Sequence, residues 1–216
     1  MRAGFTLIEM LVVLAIIVII TTIVITSQGS FNRTLILTNT TYDVALTLRS
    51  AESYGVGSRA AGGMVNAGYG LDFNRGTPTV FTLFADAYPT PSSSSVCHPT
   101  SDPGAPDAKP GNCSYESGSG ETVTSYTLGR GISVNDFCAF SAGSWSCANS
   151  HGSSLSTLDI VFSRPSPQPF MSVNGSYSPV FPVTASCLAL TSPQGGARFI
   201  SVSATGEISA TATSCP

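Results

Sequence analysis

The chain has 216 residues, a formal net charge of −3 and only 10% charged residues, where ordinary soluble domains carry about 25%. That length provides for one domain beyond a long helix and hardly two. With Lys109 as its single lysine, the chain lacks the clustered cations that binding to nucleic acid or an anionic membrane requires.

The first predicted element is apolar. From Phe5 to Ile25 the only charged residue is Glu9, and at a helical rise of 1.5 Å per residue the segment is about 30 Å long, the thickness of a hydrocarbon core. Leu, Ile and Val cover every face, so the segment is not an amphipathic surface helix. A removable secretory leader is the rival reading. Such a leader has a longer charged region, a shorter apolar region and a small-residue cleavage site, and Ile25-Thr26-Ser27-Gln28 offers a poor one. The helix is therefore expected to stay with the protein, with Arg2 on the cytoplasmic side and the bulk of the chain outside. Glu9 stands out because a carboxylate in lipid costs roughly 2.5–3.5 kcal/mol and is normally paired or functional.

Arg2-Ala3-Gly4-Phe5-Thr6-Leu7-Ile8-Glu9-Met10-Leu11-Val12-Val13 resembles the class III signal of type IV pilins and type II secretion pseudopilins. The resemblance implies that a membrane prepilin peptidase cuts between Gly4 and Phe5 and N-methylates Phe5. It also implies that Glu9 is the carboxylate that docks the subunit into a filament, where the new amine four residues ahead can neutralise it. Many major pilins carry a proline and a glycine inside the first helical half. Neither occurs between Phe5 and Gln28, which favours a minor pilin or pseudopilin.

Beyond Ile25 no proline interrupts the helix. Leu37, Val44, Leu48 and Ala51 form one apolar stripe, with Arg49 and Glu52 expected as a solvent-side pair. Gly55, Gly57 and Gly62-Gly63 are expected to end the helix, which from Phe5 to Tyr54 would run roughly 75 Å. The period then changes to two. Residues 69–73 and 79–84, separated by Asn74-Arg75-Gly76, read as a hairpin; 122–128, 132–140, 158–162, 186–190, 198–202 and 207–209 read as further strands. Residues 86–120 read as one long loop, of a length that is usually functional or mobile. The expected fold is α+β: a long N-terminal helix, membrane-spanning in its first half, carrying a β-rich antiparallel head like a lollipop. The expected divisions are a leader at 1–4, the long helix at 5–60 with its transmembrane part at 5–25, and a head at 61–216.

All six cysteines, Cys97, Cys113, Cys138, Cys147, Cys187 and Cys215, follow the apolar segment. An even number on the outer side reads as a disulfide framework of many possible connectivities. Neighbour pairing, Cys97–Cys113, Cys138–Cys147 and Cys187–Cys215, is expected, each link closing a short or moderate loop. A zinc site would want closely spaced Cys or His pairs, and no C-x₂₋₄-C occurs.

Two later stretches extend the resemblance to the secretion pseudopilin H and FimT group (GspH/FimT-like): Leu48-Arg49-Ser50-Ala51-Glu52 and the ending Arg198-Phe199-Ile200-Ser201-Val202-Ser203-Ala204-Thr205-Gly206-Glu207-Ile208. Some FimT-like minor pilins bind DNA through basic residues near the C-terminus. Residues 207–216 hold no cation, so nucleic acid is not expected among the partners. No catalysis, cofactor or metal is expected either: His98 and His151 sit in loops, and Asp159 with the many serines has no nucleophile-elbow context.

The expected role is a minor pilin or pseudopilin, a structural subunit of a type IV pilus or type II secretion pseudopilus. Its expected partners are the prepilin peptidase/methyltransferase, other pilins, the inner-membrane assembly machinery and, before assembly, membrane lipid. Its expected place is the inner membrane, with the head extracytoplasmic, and then the filament. The alternative is a membrane-anchored surface-binding or DNA-uptake module that uses the 86–120 loop.

Overall fold

The computed structural model describes residues 5–57, 59, 60, 63, 65–150, 152 and 154–215. Helix α1 spans Leu7–Val56, and ten strands follow: β1 Gly68–Asn74, β2 Val80–Asp86, β3 Thr122–Thr127, β4 Ser133–Ser141, β5 Ser144–Cys147, β6 Thr157–Ser163, β7 Ser166–Val173, β8 Ala185–Thr191, β9 Ala197–Ser203 and β10 Ile208–Ala212. The chain divides into two units, Met1–Ile36 and Leu37–Pro216.

The first unit is helical from Leu7 onward, and every side chain from Phe5 to Ile25 is exposed. Leu7–Ile25 is long and apolar enough to cross a membrane, with a mean hydropathy of 3.0.

The second unit is α+β. Its strands form two five-stranded antiparallel sheets, ordered β3-β2-β1-β6-β7 and β10-β9-β8-β4-β5. The helical stripe read from the sequence is its core edge: Leu37, Val44, Leu48 and Ala51 are all buried. Near the helix end, Gly55 comes so close to β6 that a Cβ there would lie 2.0 Å from the Phe162 carbonyl oxygen. Gly55 therefore lets helix and sheet touch, and the helix ends at Val56, between the two glycines expected to stop it. Tyr54 meets Tyr69 edge-on with ring centroids 5.6 Å apart. The expected Arg49–Glu52 pair is replaced by a tertiary contact, with Arg49 Nη2 donating to the Ile208 oxygen at 3.3 Å.

The first sheet has two different faces because side chains alternate along each strand. One carries Leu71, Phe73, Phe81, Leu83, Leu158, Ile160, Phe162 and Met171, all buried. The other carries Phe84 and Val161, and it is roofed by the chain between β2 and β3: Cys97, Cys113 and Tyr115 pack there with Phe170 and Tyr177. Thus Tyr115 and Tyr177 complete a small apolar cluster, and Trp145 lies against Phe140 with centroids 5.3 Å apart.

Strands β5 and β7 were not anticipated from the sequence. Both are edge strands, and β7 holds Pro167 and Pro169, residues a sheet accepts only where no ladder hydrogen bond is lost. The β3 edge is exposed throughout, as its Thr- and Ser-rich composition suggests.

Candidate functional site

The N-terminal segment is built by its own local chemistry. Thr6 precedes the first helical residue, and its Oγ1 accepts from the Glu9 N–H at 3.3 Å, beside the Thr6 carbonyl at 3.1 Å. Thr6-Leu7-Ile8-Glu9 therefore has the T-x-x-E spacing of a capping box, a signal present in the sequence and missed there. Glu9 thus has two local reasons to stand at this place: it is the N3 residue of the cap, and a carboxylate in the first turn is favoured by the helix dipole. Phe5 is 77% exposed. Gly4, the other half of the expected cleavage site, lies outside the described residues, as does His151.

In the second unit the six cysteines form three disulfides, Cys97–Cys113, Cys138–Cys147 and Cys187–Cys215, the neighbour pairs considered from the sequence. The long loop expected at 86–120 is pinned by Cys97–Cys113 and is also fastened at its base by two buried carboxylates. Asp86 Oδ1 and Oδ2 accept from the backbone of Asn112 and Cys113 at 3.0 and 2.9 Å. Glu121 Oε1 accepts from Ala87 and Tyr88 at 3.0 and 2.9 Å, and its Oε2 from Glu116 at 2.9 Å. Each carboxylate satisfies N–H groups that an irregular segment would otherwise bury unpaired. Burial pushes the Asp86 carboxyl well above its usual range, opposed by the Cys113 N–H and reinforced by Glu121. Burial likewise lifts Glu116 to about 7, with the Asn112 side chain opposing.

His98 sits inside this clamp, its Nε2 3.5 Å from Cys113 Sγ and 3.9 Å from Asp86 Oδ2. Burial lowers its pKa to about 4, with Lys109 adding to the shift, so the ring is neutral near pH 7. Asp86, Cys97, His98 and Cys113 are close enough to suggest a metal set, but both sulfurs are joined to each other and offer no thiolate. Among the described residues no histidine pairs with Asp159. It lies beside Asp72 and accepts from Ser114 Oγ at 3.0 Å.

The chemistry in these two units is that of an exposed, capped apolar helix and a disulfide-stapled two-sheet domain. Residues 1–25 match the family model described as the prokaryotic N-terminal methylation motif. No curated protein and no solved structure matches the chain. The motif match, the apolar helix and the disulfides support a membrane-anchored, type IV pilin-like subunit. The motif implies processing by a prepilin peptidase and assembly with other pilins.

Proposed function

We propose that this chain is a minor pilin or pseudopilin of the GspH/FimT-like kind, cut after Gly4, N-methylated at Phe5 and assembled into a type IV pilus or type II secretion pseudopilus. It is held in the inner membrane by Leu7–Ile25 before assembly, with its β domain extracytoplasmic. The observation that carries the reading is Glu9 in the first turn of an apolar helical segment, Leu7–Ile25, that is exposed throughout, inside the matched methylation motif. Its work is assembly rather than turnover: the apolar helix passes from lipid to the company of other helices, and Glu9 meets the amine of a processed N-terminus.

The fastening of residues 87–121 by Asp86, Glu121 and a disulfide favours a structural subunit over an anchored module that binds through a free loop. Tyr42 and Leu46, 52% and 63% exposed, line a groove of about 540 Å³ with Arg49, Glu207 and Ile208, a surface suited to a neighbouring subunit.

Because glutamine also closes a capping box, Glu9→Gln separates the cap from the charge. If the charge drives assembly, Glu9→Gln and Glu9→Ala both insert into the membrane and both fail to enter sheared filaments. Incorporation of Glu9→Gln at the wild-type level would reduce Glu9 to a helix cap and contradict the proposal.

A further inference from the structure

Across the first sheet one row of residues is polar on all five strands. The register runs Ser125–Thr82–Asp72–Asp159–Ser172 from β3 through β2, β1 and β6 to β7. Directly paired residues share a face, so this row lies on the roofed side with Phe84 and Val161. All but Ser125 are buried, Asp159 to 1% and Ser172 to 0% exposure.

Two carboxylates placed opposite each other repel, and burial makes the repulsion worse. Among the described residues no Lys, Arg or His pairs with either one. Asp159 Oδ2 accepts from Ser114 Oγ, the Tyr115 N–H and the Asp72 carboxyl also lie against the group, and its Oδ1 makes no hydrogen bond of good geometry. An Asp72–Asp159 hydrogen bond requires a proton on one of them. Independently, the Ser172 hydroxyl, fully buried and on the same face directly opposite Asp159, also has no partner. A buried hydroxyl directly opposite a buried carboxyl group would ordinarily donate to it, so its lack of a partner points to a cation that draws the oxygens of both.

We infer that Asp72 and Asp159, with the hydroxyls of Ser172 and Ser114, hold a single calcium ion. The available atoms are all oxygens, which suits a hard cation and not a transition metal that prefers nitrogen or sulfur. Two carboxylates balance a double charge. Calcium accepts irregular oxygen sets and mono- or bidentate carboxylates, whereas magnesium demands a near-octahedral shell and keeps its waters. The ion ties Ser114 of the roof to the two central strands, so it adds a third fastening to the residues between β2 and β3. The inference rests on the second unit alone and stands apart from the assembly reading.

The test uses the full chain in detergent, stripped with a chelator and titrated with calcium chloride or magnesium chloride at neutral pH. Equilibrium dialysis is expected to give one calcium per chain. With a site of the extracellular affinity class, about 0.1 mM, a twentyfold excess of calcium raises Tm by about 4–7 °C. Magnesium has a smaller effect. Asp159→Asn loses the bound calcium. Ser172→Ala, which keeps the fold if Asp159→Asn does not, weakens calcium binding several-fold. Three results would each overturn the assignment. One is no bound calcium, with a Tm that instead rises on acidification, meaning the pair shares a proton. The second is one calcium retained by Asp159→Asn, and the third is unchanged affinity in Ser172→Ala.

Discussion

Replacing Cys97 and Cys113 together by serine isolates what the disulfide adds to a segment that is already fastened by other means. The link closes a separation of 16 residues, for which the chain-entropy model gives about 3 kcal/mol at 25 °C. The native segment should keep its path without it, because Asp86 still holds the backbone of Asn112 and Cys113 and Glu121 still holds Ala87 and Tyr88. The loss then comes from the freer unfolded chain, and for a domain of this size it lowers Tm by roughly 6–12 °C. Thermal unfolding followed by near-ultraviolet circular dichroism reads the shift, and the folded baseline reports whether the aromatic cluster of Phe84, Tyr115 and Phe170 survives. A single transition with a native baseline and a lower Tm is expected. An unchanged Tm, or loss of the aromatic signal at low temperature, would refute the reasoning: the first denies the entropic contribution, the second denies that the carboxylates hold the segment.

Gly111 has φ +95°, and a Cβ there would lie 2.2–2.4 Å from the Asp86 carboxyl group, so Gly111→Ala should cost about 3 kcal/mol or more. Gly118→Ala, with φ +89° but open space around it, should cost only about 1 kcal/mol; equal urea midpoints for the two would contradict this. His98 is neutral in the fold with its pKa lowered to about 4, so the unfolded chain takes up its proton first. The contribution of His98 is then full above pH 6.5 and declines by up to about 3 kcal/mol as pH falls towards 4. Asp86, whose carboxyl is raised, works in the opposite direction and remains in both proteins. The drop in Tm between pH 7 and pH 4.5 should therefore be smaller in His98→Gln than in the wild type, and equal drops would remove His98 from the account. Loss of filament incorporation in Glu9→Gln, set out above, is the corresponding prediction for the first unit.

Much of the architecture was legible because it is local. The apolar run from Phe5 to Ile25 and the stripe Leu37-Val44-Leu48-Ala51 speak through helical period, and most strands through alternation. The disulfide partners are near in sequence, so short loop closure pointed to them. The missed strands show where local signals fail: β7 carries two prolines and β5 only four residues, and each is held by a neighbour rather than by its own composition. Gly55 was legible as part of the helix stop, but not as the point of contact with β6, because the strand it touches is distant in sequence. The buried carboxylates are the largest gap. Asp72 and Asp159 lie far apart in the chain and meet only through the β1–β6 register, and Asp86 finds its donors 26 and 27 residues away. By contrast, the Thr6–Glu9 cap was readable from its spacing alone.

The mass of the N-terminal peptide of the protein recovered from its native cells tests the central claim most directly. The account predicts a peptide that begins at N-methylated Phe5, with the residues through Gly4 removed. A peptide that begins at Met1 would leave Glu9 without the amine that assembly gives it, and would contradict the filament-subunit reading.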